Sequence, residues 1–248
     1  MTNTSMKIEN LDELIHQSSL KLHEDYIKKL VKPCLEIVQT NIEIKLGSSK
    51  LGGIPDLPIN FEWPAHTYGN YRFVAQFNLG EIPQGFPYLP KKGLLSIFIA
   101  DDEDGNYFWG DDGYAKVFLF ENIEGLSSPT NLNVPLQSVT SISFKSTIDI
   151  PLREELYENN PLNEEELEEL IYGTIEENEK EYNYMFGYPF FSTLAYNPIP
   201  DKNWIPFLTL SSIDNLDWNW HDGDYLMLFI EEEKLQQGDF SYIKSDAG

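Results

Sequence analysis

The sequence predicts an α+β fold in which β-structure dominates, a β-rich unit occurs twice, and helices are confined to the N-terminus and an acidic connector. Three observations lead there. Aromatic residues make up 14% of the chain, and such side chains fill pleated surfaces well. Apolar and polar residues alternate through much of 35–145, the period of half-buried strands. Short motifs from the first half then return, in order, in the second.

The expected organisation is one globular unit over 1–248. It comprises a helical segment (1–33), a first β-rich half (34–150), an acidic helical connector (151–183) and a second, shorter β-rich half (184–248). A chain this long buries a core without disulfide or metal staples. Asn10 and Glu13 stand at capping-box spacing, with Ile8, Leu11 and Ile15 on one face. Tyr26, Ile27, Leu30 and Val31 form a second helical stripe that must end before Pro33.

Alternation over Leu35–Gln39 and again over Ile42–Leu46 predicts two strands, with Gly47–Gly53 a loop. Pro55, Pro58 and Pro64 exclude regular helix from the next stretch. Tyr71–Phe77, Leu94–Ile99, Tyr114–Phe120 and Ser141–Lys145 read as strands, with Asp101–Asn106 a hairpin tip. From Glu164 the helical period returns: Leu167, Leu170, Ile171 and Ile175 lie beneath a glutamate-rich face, although Gly173 argues against one unbroken helix.

The repeat rests on Gly53-Ile54-Pro55, which returns as Gly187-Tyr188-Pro189, and on Phe73-Val74, which returns as Phe207-Leu208, both separated by 134 residues. Beyond these the register stays open. Gly93 matches Gly223, or else Trp109-Gly110-Asp111 matches Trp220-His221-Asp222.

Charge is the most unusual global property. With 17 Lys+Arg against 41 Asp+Glu, the net charge is −24, which makes nucleic acid a poor partner. Residues 154–181 alone hold 12 glutamates and one lysine, Lys180. Either this is a solvated face that serves solubility, or it is a docking surface for a basic protein. The longest apolar runs, such as Ile97–Ala100, are far shorter than the roughly 20 residues of a membrane helix. Residues 1–7 lack the apolar core of a signal peptide. One cysteine, Cys34, allows no internal disulfide, and a cytoplasmic protein is expected.

Several motifs together resemble the YwqG-like bacterial proteins: Gly52–Pro58, Trp63-Pro64, Phe73–Leu79, Leu89-Pro90 and Gly93–Phe98, then Gly187-Tyr188-Pro189 and Asp222–Leu226. The resemblance runs from about residue 46 to 230. It implies a bacterial cytosolic protein with a duplicated β-rich fold and no assigned biochemical activity, and it supplies no catalytic residues. That family tends to place glutamine in the strand of each half, whereas at the motif spacing Gln76 meets Leu210 and Asn78 meets Ser212. Gln76 and Asn78 would either serve a pocket or satisfy buried backbone beside the glycine-proline loop.

Each candidate chemistry requires its own residue types at its own spacing. Neither Gly105 nor Gly113 fits position 6 of a calcium loop, since Ala100 or Phe108 would then be the first ligand. His16, His23, His66 and His221 are scattered and no paired cysteines exist, so neither a metal nor a cofactor is expected. No Gly-x-Ser-x-Gly elbow occurs, and Gly52-Gly53 is followed by proline rather than the lysine of a phosphate loop. The tryptophans either fill the cores or line binding loops. Trp218 and Trp220 alternate, so a strand there would send only one inward.

Three functional expectations survive, the third of them a purely structural or housekeeping interaction protein. The first is a non-enzymatic acidic protein that occludes a basic partner such as a bacterial toxin, through Glu164, Glu165, Glu168 and Glu169. The second is a small-molecule-binding protein or enzyme with a site between the halves, at Asp56, His66, Gln76, Trp220, His221 and Asp222. The sequence assigns no oligomeric state.

Overall fold

The computed structural model describes residues 11–83, 86, 89–102, 104–129, 138–153, 156–174, 183–191 and 193–248. The N-terminal apolar stripe forms α1 (Leu11–Gln17), a 3-10 helix (Ser19–His23) and α2 (Glu24–Leu30). Asn10 and Ile8 lie outside the described residues. The Ser18 hydroxyl accepts from the Leu20 amide at 3.2 Å and starts the 3-10 helix.

After Val31 the period changes and the chain enters β1 (Lys32–Thr40). There follow β2 (Lys50–Gly52), β3 (Leu57–Pro58), β4 (Ala65–His66), β5 (Gly69–Asn78), β6 (Leu94–Asp101), β7 (Ala115–Phe120), β8 (Leu126–Ser127) and β9 (Val139–Asp149). Helix α3 (Glu164–Thr174) leads to β10 (Tyr184–Phe186), β11 (Trp204–Ser211), β12 (Tyr225–Glu231), α4 (Glu232–Gln236) and β13 (Lys244–Ala247).

Among the described residues, eleven strands join one sheet in the order β13-β12-β11-β10-β1-β9-β2-β5-β6-β7, with β4 on β5, while β3 and β8 pair separately. At its centre β1 and β9 run antiparallel in unbroken register from Lys32 opposite Asp149 to Thr40 opposite Ser141. β10 takes the other edge of β1, and β2 takes the other edge of β9.

This order explains two departures from the sequence reading. Ile42–Leu46 alternates but forms no strand, because the chain leaving β1 must cross the end of β9 to reach β2 on its far side; Ile42 and Leu46 are accordingly exposed. The glycine-rich stretch read as loop contains β2, kept to three residues by its left-handed glycines Gly52 and Gly53. The helix through Gly173 is unbroken as described, to Thr174. A β-carbon at Gly173 would lie 2.8 Å from the Leu14 side chain, so glycine lets α3 approach α1 closely. Ile175 lies outside the described residues.

The main core draws on strands from both ends of the sheet, including Phe77, Ile97, Phe207, Leu210 and Leu228. Trp218 and Trp220 are both fully buried. The expected alternation fails because their segment is a bridge (Ile213 to Trp218) followed by a 3-10 turn (His221–Gly223), not a strand. A second cluster seats α1, α2 and α3 on Ile150, Tyr157 and Leu162. Among the described residues, no helix is long and apolar enough to cross a membrane.

Phe98 on β6 lies at the centre of an aromatic cluster, with ring centroids of Trp63 at 5.2 Å, Phe73 at 5.6 Å and Phe118 at 5.6 Å. Phe98→Ala is therefore expected to cost about 3–5 kcal/mol in urea unfolding, while the exposed Tyr172→Ala stays within about 0.5 kcal/mol.

Candidate functional site

Pairing of β2 with β5 sets Lys50 opposite Gln76 inside the sheet, and Pro55 turns the following Asp56 inward beside them. Asp56 is 1% exposed. Its Oδ2 accepts from Gln76 Nε2 at 2.7 Å and the Gly47 amide at 2.8 Å, with Lys50 Nζ at 3.4 Å; its Oδ1 accepts from Ser128 Oγ at 2.5 Å. Gln76 Oε1 in turn accepts from the Asp56 amide at 2.8 Å, and Gln76 Nε2 also donates to the Ser48 carbonyl at 2.7 Å.

Burial works to raise the Asp56 pKa, but the donors from Ser128, Gln76 and Gly47 and the Lys50 charge together bring it below the usual carboxylate value. Lys50 does not gain correspondingly. Desolvation outweighs its one anionic partner and lowers its pKa. Asn78 extends the clamp, donating from its side chain to the Gly47 carbonyl and from its amide to Ser49 Oγ, both at 2.8 Å. These polar groups hold the 47–56 loop against the sheet.

The other expected pocket residues lie elsewhere. His66 sits at the opposite end of β5 from Gln76, roughly 20 Å away at the rise of an extended strand. Its Nε2 is 2.9 Å from the Asn70 carbonyl, and its ring packs on Tyr71 and Tyr107. Trp220 is buried, donates through Nε1 to the Ser211 carbonyl at 3.2 Å and carries the Arg72 guanidinium 5.2 Å above its ring.

His221 and Asp222 follow on an exposed turn with φ of 37° and 61°. Thr193 Oγ1 donates to Asp224 Oδ2 at 2.9 Å and lies 3.2 Å from His221 Nδ1. The Trp109 ring meets the His221 ring edge-on at 5.8 Å, and Ser245 Oγ donates to the Trp109 carbonyl at 2.5 Å. This turn thus fastens the β6–β7 loop to the far end of the sheet. Asp56 and Gln76 come together; His66 and the Trp220–Asp222 turn form separate places.

Of the glutamates, Glu164, Glu165 and Glu168 are exposed on α3, while Glu169 accepts from Ser19 Oγ at 3.1 Å. Glu166 is buried in a capping box, exchanging bonds of 3.0 Å with Asn163. Among the described residues, no group of three His, Cys, Asp or Glu side chains is placed to hold a metal ion.

Sequence reasoning missed a second buried polar group. Asp149, 2% exposed at the end of β9, accepts from the Tyr188 amide at 2.7 Å. Gly187 makes room for it, since a β-carbon there would stand 2.4 Å from Asp149 Oδ2. The buried Tyr184 and Tyr188 hydroxyls donate to the Tyr188 and Leu30 carbonyls at 2.8 and 2.7 Å. Beside this cluster lies an apolar pocket of about 130 Å³ lined by Lys32, Pro33, Phe86, Phe186, Gly187, Ile205 and Pro206. The signal available was an aspartate inside the apolar run Ile148-Asp149-Ile150.

The fold and these clusters define a protein built on one large, mainly antiparallel sheet whose buried carboxylates clamp its loops. A model of a domain of unknown function, DUF1963, matches residues 49–245, and the chain belongs to that family. The match begins just before β2 and leaves out α1, α2 and β1. No curated protein matches the chain.

Desolvation pushes the Asp149 pKa up to about 7, against the amide bonds and the Lys32 charge, which act to lower it. A carboxyl whose folded-state pKa exceeds its unfolded value favours folding when protonated. Its contribution is full below about pH 4 and is lost as pH rises through about 7, by on the order of 4 kcal/mol for a shift of this size. Asp149→Asn should remove that part of the pH dependence. In urea unfolding at pH 5 and pH 8, the difference in stability between variant and wild type should shift in the variant's favour at pH 8; an unchanged difference would contradict the assignment.

Proposed function

We propose that this protein is a non-enzymatic, cytoplasmic binding protein whose acidic connector helix docks a basic protein partner, such as a bacterial toxin. The observation that carries this reading is the outer face of α3. Glu164, Glu165 and Glu168 are exposed there with Tyr172, 72% exposed, one to two turns on, and the helix contains no basic residue. Leu167 and Leu170 point the other way into the helical cluster, so the glutamates are free of structural duty except for Glu166 and Glu169. Leu22, 85% exposed, lies on the adjoining 3-10 helix. Glutamates beside an exposed tyrosine and leucine suit a basic segment that also carries apolar side chains. The pocket alternative draws less support from its original residues, because Asp56 and Gln76 spend their polar groups on each other and on loop backbone.

The architecture beneath this helix is a duplicated unit, and the YwqG-like resemblance is consistent with it. Strand order outward from the β1–β9 centre supports the reading: a short strand, two long ones and an edge strand on each side. Gly52 and Gly53 end β2 at φ of 68° and 71°, and Phe186 and Gly187 end β10 at 66° and 69°. β5 and β11 are each irregular at one place, Val74 and Phe207. The Asn78 amide donates to Ser49 Oγ at 2.8 Å, as the Ser211 amide donates to Asn183 Oδ1 at 3.0 Å. In this alignment Val74, not Phe73, corresponds to Phe207, and Gln76 corresponds to Thr209. β1 then completes the second unit as β9 completes the first, so the division falls after β1 rather than before it.

Replacing Glu164, Glu165 and Glu168 with glutamine leaves the buried stripe intact. The variant should fold normally but associate more slowly with a captured basic protein. The wild-type on-rate should fall steeply as salt rises to 0.1 M, where the screening length is about 10 Å. An on-rate indifferent to both changes would assign the glutamates to solubility.

A further inference from the structure

The apolar pocket beside β1 has no part in the reading of α3, and its lining is unusual for so acidic a chain. Phe86 stacks on Phe186 with centroids 5.0 Å apart and planes at 28°, forming one wall; Ile205 and Pro206 of β11 and Pro33 of β1 supply the rest. Among the described residues, Lys32 is the one charged residue in the lining. Its Nζ stands 3.9 Å over the Tyr188 ring, and among the described residues it has no carboxylate within ion-pair distance. Asp149, its neighbour across the β1–β9 ladder, directs Oδ2 to the Tyr188 amide instead.

A partly buried ammonium with no carboxylate within ion-pair distance, feeling Asp149 and Glu158 only at longer range, stands at the edge of an aromatic and aliphatic hollow and can take a closer anion. A volume of about 130 Å³ is close to that of an apolar cavity able to hold benzene, about 150 Å³. We infer that this pocket binds a small aromatic carboxylate, its ring against Phe86, Phe186 and Ile205 and its carboxylate on Lys32. Binding at such a site takes its orientation from the single charge and its hold from the apolar walls. Desolvation lowers the Lys32 pKa although the Asp149 and Glu158 charges act to raise it, so an anion in direct contact would stabilise the ammonium further.

The test uses the full chain and phenylacetate as probe, with benzylamine and benzyl alcohol as the cationic and neutral controls, followed by ligand-observed NMR titration. Phenylacetate should bind saturably, with benzyl alcohol weaker and benzylamine weakest. Lys32→Met should weaken phenylacetate by about tenfold, the loss of one charge-assisted contact, and bring it level with benzyl alcohol. Ile205→Trp should block all three by filling the hollow; should that variant not fold, Phe86→Ala, which removes one wall, should weaken all three instead. Absence of saturable phenylacetate binding, equal binding of the three compounds by wild type, or phenylacetate affinity untouched by Lys32→Met would each overturn the proposal.

Discussion

The structure depends on the antiparallel ladder between β1 and β9. These are two of the longest strands, they are paired along the whole length of β1, and every other strand of the large sheet reaches its place through one of them. Each directly opposed side-chain pair contributes only about 0.2–1 kcal/mol. The ladder's importance is topological: it joins the strands that follow β1 on one side to those that follow β9 on the other. It also fixes the geometry around the clusters described above. Asp149 and Lys32 face one another because they end the same register, and the apolar pocket opens where β1 enters the sheet beside β10 and β11.

Much of the fold was legible because its strands are half-buried or fully buried and bounded by turn residues. β5, β6 and β7 follow from aromatic and β-branched runs set between polar turn residues, while β11 and β12 are legible only as returns of first-half motifs. What failed, failed where tertiary connection overrides local pattern. Ile42–Leu46 alternates as a strand should, but it serves as the crossing from β1 to β2, which meets β9 only at Val139–Ser141. The short β2 hides in glycines because its left-handed exit, not its length, is what the fold requires. Trp218 and Trp220 both turn inward because a turn, rather than a pleat, sets their directions.

The candidate site was less legible for a related reason. Asp56 and Gln76 are twenty residues apart, yet the pairing of short β2 with long β5 brings them to 2.7 Å, and nothing local announces a clamp rather than a pocket. Asp149 was overlooked because a lone carboxylate at the end of a largely half-buried or exposed strand reads as a surface position, whereas the last residue of β9 is buried. Both carboxylates serve loop positions that glycines with positive φ make possible, Gly53 for the first and Gly187 for the second. Burying either has a cost, which Asp56 offsets with four donors and Asp149 by favouring its protonated form. The large net negative charge lies mainly outside this framework, where it opposes compaction by self-repulsion.

The central claim is that β1 and β9 hold the sheet together as one cooperative unit. Native-state hydrogen exchange read residue by residue tests it most directly, because amides protected only by global unfolding report the full stability of the protein. The account predicts that the amides bonded within the β1–β9 ladder are among the slowest, with an opening free energy equal to the global value from urea unfolding. Exchange of these amides through a cheaper partial opening, while β5–β6 or β11–β12 stayed protected, would contradict it.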